Sequence, residues 1–253
     1  MLYIVLPAYD EEENIRPLVE EIGANLAELL PQVQSEVVIV NDGSSDDTAG
    51  QVKSLQARLP TPNLKITLID HPQNRGLAEA LKTGLLYCCD SAGPRDIILT
   101  MDSDNSHTPG LIPQMARTLR EGYDVVIASR YEPKARVLGL SRKRLLLSFV
   151  ASGLFRVLFP IRGVRDYTCG FRAYRASVLQ EVMRENPRFI SETGFSVMVD
   201  VLLKLRLRQP SLLFTEVPLL LRYDKKLGAS KMNIRKTVRE TLSLICRRLA
   251  GRP

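Results

Sequence analysis

The sequence has no tryptophan, and its four cysteines, Cys88, Cys89, Cys169 and Cys246, include no pair at the spacing of a zinc site. They read as reduced thiols that pack as small hydrophobes, as in a protein kept in a reducing compartment. No apolar run can cross a bilayer. The longest uncharged one, Leu145 to Phe155, falls well short of the ~20 residues a spanning helix needs. No secretory leader is read at the start, because Leu2 to Leu6 is too short and acidic residues follow at once. No internal repeat, low-complexity tract or linker divides the 253 residues, which predicts a single domain over 1–253.

What is present is a core-forming chain, 45% hydrophobic, with 35 Lys and Arg against 28 Asp and Glu and a net charge of +7. A basic balance suits an anionic partner: nucleic acid, a phosphate-bearing substrate or an anionic membrane surface. Nucleic acid is the weakest of the three. The chain shows no binding motif of that kind and has no tryptophan to stack on bases.

The first half alternates strand-like and helix-like segments. Leu2 to Leu6, Val37 to Val40, Leu64 to Ile69, Ile97 to Met101 and Val125 to Ala128 are short apolar runs of the kind buried strands have. Between them lie segments with helical spacing. Ile15, Leu18, Val19, Ile22 and Leu26 mark one helix face. A second helix is capped by Ser45 or Asp46, and a third runs from Gly76 to about Asp90 with Leu77, Ala80, Leu81, Gly84 and Leu85 inward. Pro109 opens a fourth. This order predicts an α/β fold with a mainly parallel sheet flanked by helices. The second half reads as an apolar helix over Leu145–Phe159, a helix over Thr193–Arg208, one strand over Ser211–Leu221 and a basic amphipathic helix over Met232–Leu249.

In a parallel sheet, ligands bind beyond the carboxyl ends of the strands. The polar clusters fall at those ends: Tyr9-Asp10-Glu11, Asn41-Asp42, Asp102-Ser103-Asp104 and Ser129-Arg130. Asp102 and Asp104, one residue apart after an apolar strand, can reach one hard divalent cation and hold it against a diphosphate. Asp42 can accept hydrogen bonds from a nucleobase, and Gly43 permits close backbone approach.

The ordered set Pro7-Ala8-Tyr9 with Glu11 and Asn14, Val40 to Asp46, Asn74-Arg75-Gly76-Leu77, Met101 to Asp104 and Ser129-Arg130-Tyr131 resembles family-two glycosyltransferases with the GT-A nucleotide-diphospho-sugar transferase fold. The later blocks Asp166 to Arg172, Glu192 to Phe195, Val217-Pro218 and Gly228 to Lys231 are similar to the polyprenyl-phosphate branch, the dolichol-phosphate mannose synthases. The resemblance implies a nucleotide-sugar-binding half over 1–131 and an acceptor-binding, membrane-facing half over 132–253. It implies that Pro7, Tyr9, Glu11 and Asp42 hold the nucleotide. Asp102, Ser103 and Asp104 would serve the donor, with Asp102 and Asp104 as ligands of Mg2+ or Mn2+. Lys231 would neutralise the donor phosphates. Arg130, Arg142, Arg144 and Ser230 would meet the acceptor phosphate, with Asp104 and Arg130 as the catalytic pair. Where the family often has Gln as a further metal ligand this chain has Ser106, and Asn105, His107 or water can substitute. The family's Arg near the end corresponds to Arg222 or Lys225.

The implied reaction is inverting transfer of mannose from GDP-mannose to a polyprenyl phosphate, at the cytoplasmic face of a membrane. Peripheral attachment is expected, aided by a membrane-anchoring partner. UDP-glucose and UDP-N-acetylglucosamine stay open as donors. A saccharide acceptor stays open too, and would need Asp200 or Glu192 as base. A sugar nucleotidyltransferase would open with a Gly-rich basic loop, where this chain has Pro7-Ala8-Tyr9-Asp10-Glu11. The apolar segment with flanking Arg142, Lys143, Arg144, Arg162 and Arg165 reads either as a helix lying in a membrane interface or as a buried core helix.

Overall fold

The computed structural model describes residues 1–59, 62–186, 189–192, 194, 196–228 and 234–250. The first half follows the predicted alternation: β1 (Leu2–Ala8), α1 (Glu12–Leu29), β2 (Ser35–Asn41), α2 (Thr48–Arg58), β3 (Leu64–Asp70), α3 (Leu77–Ser91), β4 (Ile97–Thr100), α4 (Ile112–Arg120) and β5 (Val125–Ser129). In α3 it is Ala78, rather than Leu77, that joins Ala80, Leu81, Gly84 and Leu85 in the core. Asp46 does serve the start of α2: its Oδ1 accepts the Thr48 amide at 3.0 Å.

A seven-stranded sheet runs in the order β3-β2-β1-β4-β7-β5-β8. Here β7 is Arg172–Arg175 and β8 is Phe214–Pro218. All neighbours pair parallel except β7, which is antiparallel to both β4 and β5. β2 is buried along its length and β1 is buried apart from half-buried Pro7, as runs without polar alternation require. Strand order reverses at β1, since β2 and β3 extend the sheet one way and β4 lies on the other side. The crevice beyond the carboxyl ends of β1 and β4 is therefore the topological switch point, where open α/β sheets place ligands.

The strand expected over Ser211–Leu221 is two strands in two sheets. β8 ends at Pro218, and β9 (Leu220–Arg222) leaves to pair in parallel with β6 (Arg136–Leu138) as a separate ribbon. Two further helices complete the second half, α6 (Ala176–Glu185) and α7 (Ser196–Arg208). Ser196 to Leu205 of α7 are buried without a break, so it is enclosed all round. The last helix, α8 (Ile234–Leu249), lies against it.

The apolar segment forms α5 (Arg142–Leu158), of which only Ser152 and Phe155 are buried. Phe149 is 64% and Val157 78% exposed, and Leu146, Leu147, Val150 and Leu154 are exposed as well. That removes the reading of this segment as a core helix. No helix among the described residues is long and apolar enough to cross a membrane. Cys88 and Cys169 are buried and Cys89 is half-buried, but Cys246 departs from the expected burial because it faces outward on α8.

Candidate active site

Ser103 joins the two strand ends of the crevice, its Oγ donating to the Pro7 carbonyl at 2.5 Å. The chain then makes a tight loop in which Asn105 takes a left-handed backbone, φ 60°. Its Nδ2 donates to the Asn14 carbonyl of α1 at 3.0 Å. Asn105 is thereby occupied in holding the loop.

Asp102 and Asp104 stand in this loop under opposite electrostatic conditions. Burial raises the Asp102 carboxyl above its usual range, His107 opposes the rise, and the nearby Asp104 charge adds to it. Yet the Asp102 side chain keeps 38% exposure, so it looks onto the crevice from a deep position. Burial would raise Asp104 too, but the Lys226 ammonium overrides it and holds this carboxyl below its usual range. Lys226 Nζ donates to Asp104 Oδ2 at 2.6 Å, while Oδ1 accepts from Ser106 N at 3.1 Å and Ser106 Oγ at 2.5 Å. Ser106 therefore orients Asp104. His107 stacks on Phe171, and its Nδ1 accepts the Asp102 amide at 3.3 Å. The ring proton is then on Nε2, which faces Asp102 Oδ2 at 3.9 Å.

The cation beside Asp104 comes from the turn after β9. Of the two residues expected there, Arg222 pairs with Asp224 and Lys225 with Glu21 of α1. Lys226 is the residue that reaches the acidic loop, and sequence reasoning passed over it. Two side-chain bonds from one buried amide fix its place: Asn14 Nδ2 donates to the Leu227 carbonyl and Asn14 Oδ1 accepts the Leu227 amide, both at 3.0 Å.

Beyond the end of β2, Asp42 is buried and carries three protein hydrogen bonds. Its Oδ1 accepts from His71 Nδ1 at 2.7 Å and Arg75 N at 3.0 Å, and Oδ2 from Gly76 N at 2.7 Å. His71 was not foreseen, because a lone histidine after a strand carries no pattern. Gly43 has φ +66° and a Cβ there would stand 2.3 Å from the Gln73 backbone, so only glycine lets these two turns meet. Tyr9 is half-buried and Glu11 buried at the mouth of β1, with Glu11 Oε2 accepting from Asn14 Nδ2 at 2.7 Å.

Arg130, at the end of β5, meets Asp166 in a two-pronged pair, Nε to Oδ2 at 2.8 Å and Nη2 to Oδ1 at 2.7 Å. Asp166 is fully buried. Burial pushes its carboxyl up, and the Arg130 guanidinium outweighs that and brings it below the usual range. The pair holds Arg130 rigidly beside the crevice. Arg144 of α5 donates to the Tyr223 hydroxyl at 2.8 Å, while Arg142, the first residue of the basic run, is exposed. Ser230 and Lys231 lie outside the described residues.

The two carboxylates open as acceptor bases are engaged elsewhere. Asp200 is fully buried between Lys204 and Arg248, and Glu192 accepts from Arg247 Nη2 at 2.5 Å. Neither fits the role of a base facing an incoming alcohol.

Residues 3–183 match the family model "Glycosyl transferase family 2". The chain belongs to that family. Among curated relatives, the polyprenol monophosphomannose synthase of Mycolicibacterium smegmatis is 30% identical over 241 residues, covering 93% of this chain and 83% of the relative. The dolichol-phosphate mannosyltransferase of Pyrococcus furiosus is 28% identical over 202 residues, 79% of this chain; the match spans about half, 52%, of that relative. Among solved structures, glucosyl-3-phosphoglycerate synthase from Mycobacterium tuberculosis, in complex with Mn2+, uridine diphosphate and phosphoglyceric acid, aligns over 100% of this chain and 79% of its own, with TM-score 0.65 and 19% identity. This family 2 glycosyltransferase thus has the expected GT-A fold, and the acidic loop lies at the crevice such a fold keeps for ligands.

Proposed function

We propose that this glycosyltransferase moves mannose from GDP-mannose onto a polyprenyl phosphate, with inversion, at the cytoplasmic surface of a membrane. The observation that carries the reading is the gathering of Asp102 and Asp104 with the cations Lys226, Arg130 and Arg144 around one crevice, next to a helix whose apolar face is exposed. The names of the relatives supply mannose and the lipid phosphate. The absence of disulfides among the four cysteines suits a reducing compartment.

Two carboxylates at one crevice, one of them with its proton affinity raised by burial and further by its acidic neighbour, are an oxygen donor set that suits Mg2+ or Mn2+. Asp102 and Asp104 would hold the ion. Among the described residues no group of three His, Cys, Asp or Glu side chains encloses a metal. The remaining positions would fall to the donor diphosphate and water. When bound, the ion supplies charge neutralisation for the departing diphosphate.

The chain's own residues do the rest. Pro7, Tyr9, Glu11 and Asp42 hold the nucleoside, and Ser103 keeps the two strand ends together beneath it. In the stretch outside the described residues, Lys231 meets the donor phosphates, while Lys226 holds Asp104 and faces the acceptor phosphate from the acidic loop. Arg130, Arg142, Arg144 and Ser230 receive the acceptor phosphate. With a second pKa near 6, a phosphate monoester is mostly dianionic at neutral pH. Its oxygen attacks the anomeric carbon, the carbon–oxygen bond to GDP breaks, and GDP leaves with the electron pair. No proton has to move, which agrees with the engagement of Asp200 and Glu192 in ion pairs. A membrane-anchoring partner belongs to the same proposal.

The test is a donor screen with Mn2+ or Mg2+ and a short polyprenyl phosphate. Mannosyl-phosphate lipid should form from GDP-mannose. Transfer from a UDP-sugar alone would move the donor assignment. Transfer to soluble saccharides with none to the lipid phosphate would sink the reading.

A further inference from the structure

Tyr223, in the short turn after β9, stands between the two halves of the proposed site. Its ring has Lys226 Nζ 5.6 Å from the centroid and Arg144 Cζ 5.8 Å from it. Arg144 Nη1 also donates to its hydroxyl at 2.8 Å. One cation belongs to the acidic loop through Asp104, and the other to α5, the helix with the exposed apolar face. Arg144 has no carboxylate partner among the described residues, so the ring and hydroxyl are what hold it. The Asp104 carboxylate offsets the Lys226 charge, and the ring's negative face offsets that of Arg144 only in part, which leaves positive charge beside the ring uncompensated. An anion set between the two cations would compensate it. The hydroxyl accepts from Arg144, and its own proton meets no acceptor among the described residues; a phosphate oxygen would supply one.

The surroundings fix this turn against α5. β6 and β9 pair in register from Arg136–Leu220 to Leu138–Arg222, which delivers the α5 entry and the Tyr223 turn side by side. Between them Gly139 has φ +79°, and a Cβ there would stand 2.5 Å from the Asp224 amide. The two loops are thus in backbone contact, with no space for a side chain.

We infer that Tyr223 is a positioning residue that sets Arg144 and Lys226 as a two-cation clamp on the acceptor phosphate and joins the membrane-facing helix to the donor crevice. The inference rests on the proposed acceptor and adds to it the residue that spaces the clamp.

The probe is citronellyl phosphate, titrated without donor into the full chain and into Tyr223→Leu and Tyr223→Phe. The Leu variant removes ring and hydroxyl and should weaken binding about tenfold, the size of one partly desolvated cation–ring contact plus a charged hydrogen bond. The Phe variant keeps the ring and should lose about threefold. Affinity for GDP-mannose with Mn2+ should change by less than about twofold in both, which a general loss of structure would not spare. Citronellol, without the phosphate, should not distinguish the variants. Wild-type affinity for the phosphate probe in Tyr223→Leu, an equal loss of GDP-mannose affinity, or no binding by the parent chain would each overturn the inference. Binding that follows the expected order without any mannosyl transfer would sink the proposed reaction and leave the clamp standing.

Discussion

Lys226 Nζ lies 2.6 Å from Asp104 Oδ2 across 122 residues of chain, and both side chains are nearly enclosed. Breaking a buried pair leaves one charge uncompensated, which costs more than the pair contributed. Lys226→Met should therefore lower kcat/KM for the donor by roughly 10²-fold, and Asp104→Asn by roughly 10²- to 10³-fold, the range of one lost charge contact at a reacting centre. Because the two act on each other, the double variant should lose much less than the product of the single losses. Steady-state kinetics on the three proteins checks this. Strict additivity would show that Lys226 and Asp104 work independently.

Much of the first half of the chain was legible because its signals are local. A strand of four or five apolar residues followed by an acid carries its own meaning, so β1, β2, β4 and the positions of Asp42, Asp102 and Asp104 came from the sequence pattern. What was missed depends on contacts between distant segments. β7 is only Arg172–Arg175, and its antiparallel insertion between β4 and β5 leaves no periodic trace. The division of Ser211–Leu221 into β8 and β9 turns on Pro218, where the chain passes from one sheet to the other. Lys226 could not be told from Arg222 or Lys225 without knowing that Asp224 and Glu21 take those two. Asp166 was quoted in a motif yet given no role, since only the fold brings it to Arg130.

Removing divalent metal should stop transfer. After exhaustive EDTA treatment activity should fall by at least about 10²-fold, with Mn2+ or Mg2+ restoring it, as expected where an ion neutralises a leaving diphosphate. Asp102→Asn should raise the metal concentration needed for half-maximal rate while leaving the melting temperature nearly unchanged, because its side chain is 38% exposed. Full activity in EDTA would show that the cations of the site suffice alone.

The Arg130–Asp166 pair predicts a defined pH response. Asp166 has its folded carboxyl below the ordinary value of 3.8 because the Arg130 charge outweighs burial. A carboxyl depressed on folding stabilises the protein above its unfolded pKa and loses that contribution as pH falls through the folded value. Asp166→Asn should cost about 3–5 kcal/mol at pH 7, as for a buried cation left without its partner. Denaturant unfolding should show that deficit constant from neutral pH down to the ordinary carboxyl range. Below it the parent should lose stability towards the variant. A deficit that grows on acidification would contradict the sign.

The exposed face of α5 makes the last prediction, on membrane contact. Phe149 is 64% and Val157 78% exposed, with Leu146, Leu147, Val150 and Leu154 beside them and Arg142, Lys143 and Arg156 on the same helix. Burying one large apolar side chain in an interface contributes about 1.5–3 kcal/mol, and each nearby Lys or Arg about 1 kcal/mol at an anionic surface. Phe149→Asp and Val157→Asp should each weaken co-sedimentation with phosphatidylserine-containing vesicles by roughly 10- to 100-fold. The parent's binding should fall with added salt but persist in part, since the apolar share is not screened. Val157→Asp should leave turnover of a water-soluble prenyl phosphate unchanged, whereas Phe149, whose ring meets Tyr131 edge-on beside Arg130, tests vesicle binding alone. Full vesicle binding by both variants would remove α5 as the contact surface, and an equal loss on soluble substrate by Val157→Asp would show that the helix serves the crevice itself.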